Sequence, residues 1–270
     1  MRKSRPNHLA GFGSLVWLLV VGLPLYVMLV ATFQSRPDYA ANGPLAFPEH
    51  FTLDNYVNSG FAQYFLNTVI VTVCVVGIVV LLVPPLAYTI VRSRGRATTT
   101  VFRLFLLGLA IPSQAVIVPM FFVISEAGLY DNLIGVILPT AAFAMPVCAL
   151  ILTGVMRDIT PDLYEAMTVD GASPRRVFFQ LVLPLSRSGV STIVVFSALQ
   201  AWNGFLFPLV LTQSVETKVI TLGLYDFQTE RGVDTPGLLA AVVLSMLPIL
   251  IVYLFARRAL VQGLMGVGGK

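Results

Sequence analysis

The chain has 270 residues, of which 57% are hydrophobic and only 11% are charged. Soluble domains carry about 25% charged residues, and the mean hydropathy here is +0.85, so a water-soluble globule is excluded. The two cysteines, Cys74 and Cys148, fit no disulfide or zinc-ligand spacing. Disulfides and structural metal sites are therefore excluded. The chain also contains no HExxH motif, no GxSxG motif and no pair of carboxylates in its apolar segments, so we expect no catalytic residue and no bound cofactor in it.

Six long segments contain no Asp, Glu, Lys or Arg and are mainly apolar. At a rise of about 1.5 Å per residue, about 20 residues cross a hydrocarbon core of about 30 Å. We predict an all-α polytopic membrane protein with six transmembrane helices, forming a single transmembrane domain over residues 1–270. The predicted spans are residues 9–33, 65–91, 104–125, 132–156, 188–212 and 236–256.

The positive charge is distributed unevenly along the chain. All but three of the 17 lysines and arginines lie at the termini, between spans 2 and 3, or between spans 4 and 5, the exceptions being Arg36, Lys218 and Arg231. Short loops rich in Lys and Arg stay in the cytoplasm. The pattern predicts a multi-pass protein of the inner membrane with both termini cytoplasmic. Topology thus explains the net charge of +4, and no nucleic-acid partner is needed.

The predicted spans lack the ionisable groups on which proton- or ion-driven transporters depend. The closing residues 266–270 resemble a phosphate-binding loop, but the required earlier glycine and following Ser or Thr are missing. Any energy that the protein uses must therefore come from a partner. A protein that uses no energy, such as a self-sufficient facilitator or channel, is the alternative.

The segment 157–187 carries clear helix boundaries. Thr160 and Ser173 are N-cap residues, each followed by a proline, and Gly171 is placed to end the first helix. The pattern predicts two short helices, over 161–170 and 174–183. Helices this short are marginal alone, so they must dock, either on lipid headgroups or on a cytoplasmic protein.

The sequence from Glu165 to Pro184, EAMTVDGASPRRVFFQLVLP, resembles the EAA motif of importer-type (type I) ABC transporter permeases. The residues that match in register are Glu165, Ala166, Gly171, Leu183 and Pro184. Met167 replaces the second alanine of the motif, and Leu181 replaces an isoleucine.

The resemblance covers nearly the whole chain and is closest to the carbohydrate-importing subfamily that includes the maltose permease subunit MalG. Besides the EAA motif, the segments that resemble this subfamily are Asn55-Tyr56, residues 65–68, Ala87-Tyr88, Arg92, Ile111-Pro112, Pro119, residues 128–132, residues 137–139, residues 170–173 and Trp202-Asn203. Gly204 differs from the subfamily, in which many members carry Glu, Asp or Asn at this position.

The resemblance implies half of a heterodimeric permease that works with two ATPase subunits and an extracytoplasmic solute-binding protein. ATP and Mg²⁺ would bind the ATPases, and the 157–187 loop would be the coupling element. Glu165 would contact the ATPase, Gly171 would set the turn, and Leu163 with Met167 would form an apolar plug. The implied coupling residues are Leu163, Glu165, Ala166, Met167, Asp170, Gly171, Leu183 and Pro184. The tail Ala259–Lys270 resembles tails that reach between the ATPases, or is a frayed terminus.

Polar and aromatic residues inside the spans are candidates for a sugar path. They are Asn67, Gln114, Gln200, Trp202 and Asn203. The alternative is that these side chains pack or hydrogen-bond within the helix bundle.

The outward segments 36–60 and 216–234 either contact the solute-binding protein or only connect spans. A non-sugar solute also remains an alternative.

Overall fold

The computed structural model describes residues 8–57, 61–93, 95–229 and 232–268, and the side chains up to residue 254 apart from 8–10, 228–229 and 252–253. Six of the lysines and arginines whose distribution predicts the orientation lie outside the described residues: Arg2, Lys3, Arg5, Arg94, Arg231 and Lys270. So do the last two residues of the predicted tail, 269 and 270.

The described chain is mainly helical. In chain order the helices are α1 His8–Ala31, α2 Arg36–Asn42, α3 Asp54–Val57, α4 Phe61–Arg92, α5 Arg96–Leu106, α6 Ser113–Glu126, α7 Leu133–Arg157, α8 Pro161–Val169, α9 Pro174–Leu185, α10 Arg187–Trp202, α11 Leu206–Leu211, α12 Ile220–Gly223 and α13 Thr235–Gly268. Short 3₁₀ turns occupy Leu107–Ala110, Val215–Thr217 and Leu224–Phe227, and strands Gln228–Thr229 and Gly232–Val233 pair antiparallel.

Three helical segments are long and apolar enough to cross a membrane: Gly11–Ala31, Phe61–Arg92 and Leu133–Arg157. Two bent helix pairs raise the number to five if each pair counts as one span, and Thr235–Ile251 is a shorter apolar helix. The structure thus confirms a helical protein with membrane-spanning segments. The predicted number of six spans is not confirmed by the described residues.

The predicted span 104–125 is not one helix. The chain breaks between the turn ending at Ala110 and helix α6, and the helix direction bends by 103° at this break. Ile111 is extended, with φ −87° and ψ 111°, because the proline that follows it disfavours a helical residue there. The sequence contained this signal at Ile111-Pro112.

The predicted span 188–212 is also interrupted, since α10 ends at Trp202 and α11 begins only at Leu206. The second loop helix, predicted to end at residue 183, continues to Leu185 and meets α10 at 75°. Within it, Phe178–Val182 forms a π turn in which the Leu183 N–H bonds to the Phe178 carbonyl. Pro184 has no N–H for the carbonyl of Gln180, which accounts for the irregular bonding at this point.

Contacts divide the chain into two compact units. The first holds residues 1–62 with 223–247 and includes α1, the loop after it and the two short strands. The second holds residues 63–222 with 248–270. The single domain over the whole chain stays a prediction.

The second unit contains a closely packed helical core. One face of α4 presents Val75, Val79 and Val83 at spacings of four residues, all fully buried. Gly189 of α10 lies so near α7 that a Cβ there would be 2.9 Å from a Leu152 methyl carbon. Lipid is as apolar as these side chains, so van der Waals packing at small residues, rather than exclusion of water, holds such helices together.

Candidate coupling site and outward anchors

Helix α8 ends in a Schellman motif. The Ala172 N–H bonds to the Met167 carbonyl at 2.9 Å, and the Gly171 N–H bonds to the Thr168 carbonyl at 3.0 Å. Gly171 has φ +73°, a left-handed conformation that costs other residues about 1–2 kcal/mol. The backbone here therefore favours glycine over residues with a branched Cβ, and this conformation fixes the turn between α8 and α9.

The beginnings of the two loop helices differ. The hydroxyl of Ser173 accepts a bond from the Arg176 N–H at 3.4 Å, so Ser173 caps α9. Thr160 has an extended N-cap backbone, but its side chain makes no capping hydrogen bond. Asp162 lies in the first turn of α8, where its charge complements the helix dipole.

The helix pair is attached to the chain's own bundle by an aromatic cluster at the end of α4. Tyr164 is buried, and the Arg92 guanidinium carbon lies 4.6 Å from the centroid of its ring. The rings of Tyr88 and Phe178 are 5.4 Å apart, and the Tyr88 hydroxyl lies 3.5 Å from the Pro174 carbonyl. Burial raises the pKa of the Tyr164 phenol, an effect that the charge of Arg92 partly opposes.

The opposite face of α8 is exposed and partly apolar. The fractional exposure is 43% for Leu163 and 87% for Val169, and the side chains of Glu165, Ala166 and Asp170 are also exposed. A short helix that turns apolar and acidic groups outwards has a surface suited to a protein groove.

Met167 lies one turn after Leu163 on α8. It is partly buried and packs against the core of its own chain, so it borders the exposed surface from the inner side, and its pairing with Leu163 in an apolar plug stays a prediction. Val169 adds exposed apolar surface that sequence reasoning missed. Its spacing of three residues from Ala166 was the available signal.

The last two residues of the motif lie on α9. Leu183 is half-buried and Pro184 is exposed. Both belong to the irregular end of α9, immediately before the 75° bend into α10.

Asn67 joins α4 to the segment after α11. Its side-chain amide, on a residue only 2% exposed, donates to the carbonyls of Glu216 and Lys218 at 2.7 and 2.8 Å. The neighbouring Thr68 hydroxyl accepts from the Ile220 N–H at 2.9 Å. Asn67, predicted for the sugar path, is thus engaged in a structural contact.

Asp131 holds the same segment from the α6–α7 loop. One carboxylate oxygen accepts from the Thr217 hydroxyl at 2.6 Å, from the N–H groups of Gln213 and Ser214 at 2.8 and 3.0 Å, and from the Ser214 hydroxyl at 3.1 Å. These donors, the Thr217 hydroxyl above all, hold the pKa of Asp131 far below its usual value of 3.8. Asp131 has φ +56°, which Asp tolerates better than most residues. Sequence reasoning placed Asp131 in a family-like segment but gave it no role.

The other predicted path residues lie in different surroundings. Trp202 is buried, contacts the Phe65 ring edge-on at 5.7 Å, and lines a cavity of about 120 Å³ with mainly aliphatic neighbours. Asn203 and Gln200 are exposed, and the Asn203 amide donates to the Leu199 carbonyl at 2.9 Å. Gln114 is exposed on α6. The structure does not gather these side chains into one polar pocket.

Comparison with known proteins identifies the class. Residues 85–266 match the family described as "Binding-protein-dependent transport system inner membrane component". A diacetylchitobiose uptake system permease protein of Streptomyces coelicolor is 34% identical, covering 90% of this chain and 83% of that protein. A putative ABC transporter permease protein of Caldicellulosiruptor sp. is 30% identical, covering 93% of this chain and 92% of that protein.

A solved structure shares the fold. In the crystal structure of a bacterial ABC transporter that imports the acidic polysaccharide alginate, one chain superposes with a TM-score of 0.79. The identity is 20%, and the match covers 96% of this chain and 99% of that chain. The chain thus shares the fold of that transporter chain over nearly its whole length.

The chain belongs to the family of binding-protein-dependent transport system inner membrane components. It is a permease subunit of an ABC importer, an integral membrane protein, and not itself an enzyme. A solute-binding protein is a partner of such systems, as the description of the family states.

Proposed function

We propose that this chain is one half of the translocation pathway of an ATP-driven importer for a sugar or oligosaccharide. A second permease completes the pathway, two ATPase subunits supply the energy, and an extracytoplasmic binding protein delivers the solute. The relative from Streptomyces coelicolor is a diacetylchitobiose permease and the structural neighbour imports alginate, which supports a carbohydrate substrate.

The observation that carries the proposal is the exposed face of α8. Leu163 and Val169 are exposed apolar residues on the same short helix as the exposed carboxylates of Glu165 and Asp170, and this surface enters a groove of the ATPase. Gly171 fixes the angle to α9, and the bend after Leu183 and Pro184 passes the movement to α10. Met167 acts from the inner side, by fixing α8 to the bundle.

The ATPases bind from the cytoplasm, so the 157–187 loop and both termini lie on that side. The position of the lysines and arginines supports this orientation. The segments 36–60 and 216–234 then face outwards, where the binding protein approaches. The sugar path includes Trp202 and the exposed amides of Gln114, Gln200 and Asn203, and Asn67 contributes by holding the outward segment.

Two single-cysteine variants test the coupling surface, one at the proposed ATPase contact and one as a control. In a variant with Cys74→Ser and Cys148→Ala, Val169→Cys carries a photoactivatable cross-linker, and Val215→Cys is the matched control. Both valines are exposed, at 87% and 54%. We expect an adduct with the ATPase from residue 169 and none from residue 215.

The same two variants test orientation. A membrane-impermeant maleimide added to intact cells should label residue 215 and leave residue 169 unmodified. Labelling of residue 169 from outside, or an ATPase adduct from residue 215, contradicts the proposal. A facilitator whose loop rests on lipid would give no ATPase adduct at either position. An importer of a non-sugar solute would give the same adducts as a sugar importer, and only a substrate-binding assay would distinguish the two.

A further inference from the structure

The loop after α1 has its polar groups inside and its apolar groups outside. Thr32 and Gln34 are 0% and 1% exposed. The outward-facing apolar side chains are Leu45, Phe47, Phe51, Leu53 and Val57, all at least 60% exposed. This arrangement is the reverse of a loop that folds in water.

The loop is nevertheless firmly built. The Asn55 amide donates to the carbonyls of Thr32 and Gln34, both at 2.8 Å, and the Tyr56 hydroxyl donates to the Thr32 hydroxyl at 2.7 Å. The Thr52 N–H bonds to the Phe33 carbonyl at 3.1 Å. The backbone thus holds the apolar side chains in an outward position.

Three aromatic rings form a row across this loop. The ring centroids of Phe33 and Phe51 are 4.9 Å apart, and those of Phe51 and Phe47 are 6.1 Å apart. Soluble proteins rarely leave a contiguous apolar patch in water, and such a patch marks a contact with a partner or a membrane. Some apolar phase must therefore cover Phe47 and Phe51.

The position of the loop identifies that phase. Helix α1 ends at Ala31, two residues before Phe33, and exposes apolar side chains such as Trp17, Leu18 and Leu29 along its length. The aromatic row begins at Phe33, so it lies where this apolar, membrane-crossing helix ends and the bilayer interface begins. Interfacial segments bury apolar residues, Phe among them, about 5–10 Å into the boundary between headgroups and acyl chains, while their polar groups stay at the headgroups.

The charges of the loop fit the same depth. Glu49 and Asp54 are exposed beside the apolar residues, so the loop cannot lie in hydrocarbon, but it can lie among headgroups. Arg36 and Asp38 add one charge of each sign, which leaves an acidic excess. Attraction to an anionic lipid surface is thus not the driving force.

We propose that the loop over residues 43–57 is a membrane anchor, with Phe47 and Phe51 inserted among the headgroups of the leaflet in which α1 ends. It fixes the end of α1 at the interface by apolar burial. This function needs neither the sugar substrate nor the ATPase, so the anchor and the transport proposal can fail independently.

Fluorescence quenching tests the anchor in the assembled importer in vesicles. In the variant without Cys74 and Cys148, Phe47→Cys and Leu53→Cys each carry an environment-sensitive label. Ala41→Cys, at an exposed position of α2, is the control. We expect brominated phospholipid to quench the labels at 47 and 53 more strongly than aqueous iodide does, and the reverse at 41.

The ratio of quenching by brominated phospholipid to quenching by iodide should not change when anionic lipid replaces zwitterionic lipid. Quenching by iodide but not by brominated lipid at both 47 and 53 overturns the anchor. Protection of those labels from iodide only after addition of the solute-binding protein would overturn it as well, because the loop would then be a protein docking surface.

Discussion

Arg92, the last residue of α4, lies over the ring of Tyr164, with 4.6 Å from the guanidinium carbon to the ring centroid. Helix α4 is thus in direct contact with α8, the helix of this chain that we propose to bind the ATPase. A cation over an aromatic face is worth about 0.5–1 kcal/mol at a partly exposed site, enough to favour one position of α8 over others.

The pair should therefore be energetically coupled. Arg92→Met and Tyr164→Leu, made singly and together, should give a coupling free energy of about 0.5–1 kcal/mol in thermal unfolding in detergent. Arg96→Met is the control because Arg96 is exposed and starts the next helix. If Arg96→Met couples to Tyr164→Leu as strongly as Arg92→Met does, the specific contact is refuted.

Gly171→Val should lower the affinity of the ATPase for the permease. A Cβ at residue 171 would meet no atom within 4 Å, so the substitution acts through the φ of +73° alone, at about 1–2 kcal/mol. Gly171→Asn is the matched control, since Asn tolerates a positive φ. Retention of the ATPase on immobilised permease should fall for Val and stay near wild type for Asn; equal behaviour would contradict this role.

Asn67→Ala should destabilise the protein rather than alter its selectivity. Two carbonyls lose their donor, which costs about 1–3 kcal/mol at a buried site. Asn203→Ala is the comparison, because Asn203 is exposed and bonds within its own helix, and it should cost less than about 0.5 kcal/mol. Equal melting temperatures for the two variants, or a changed sugar preference in Asn67→Ala alone, would assign Asn67 to the path.

Asp131 should stabilise the fold in a pH-dependent way. Its folded pKa is lowered, so its contribution is complete above the unfolded value of about 3.9 and declines as the pH falls below that value. Asp131→Asn keeps an acceptor oxygen and tolerates the positive φ but removes the charge. The variant should melt below wild type by a constant margin from about pH 7 to 5, and the margin should narrow between about pH 4.5 and 3. A margin that widens on acidification would show that the carboxylate is not stabilising.

Local signals in the sequence predicted the loop pair well. The helices around Gly171 and Ser173 depend on backbone sterics and capping within a few residues, and α8 and α9 begin and end close to the predicted positions. The Ile111-Pro112 break was equally local. Composition alone hid it, because an apolar segment looks the same whether it is straight or bent.

Contacts between distant residues could not be predicted in this way. Asn67 meets the carbonyls of Glu216 and Lys218, about 150 positions away, and nothing in the sequence around Asn67 distinguishes an anchor from a path residue. Which face of α8 turns outwards depends on what lies beneath it. Met167 and Val169 are both apolar, and only the packing of Tyr164 on the bundle decides that Met167 is the inner one.

We propose that the energy for transport comes from the ATPases through α8. Uptake of labelled oligosaccharide into vesicles against its gradient, with binding protein present, measures this dependence. We expect accumulation when the permease pair, the ATPases and ATP are all present, and none when the ATPases are left out. Uphill uptake by the permease pair without the ATPases would refute the proposal.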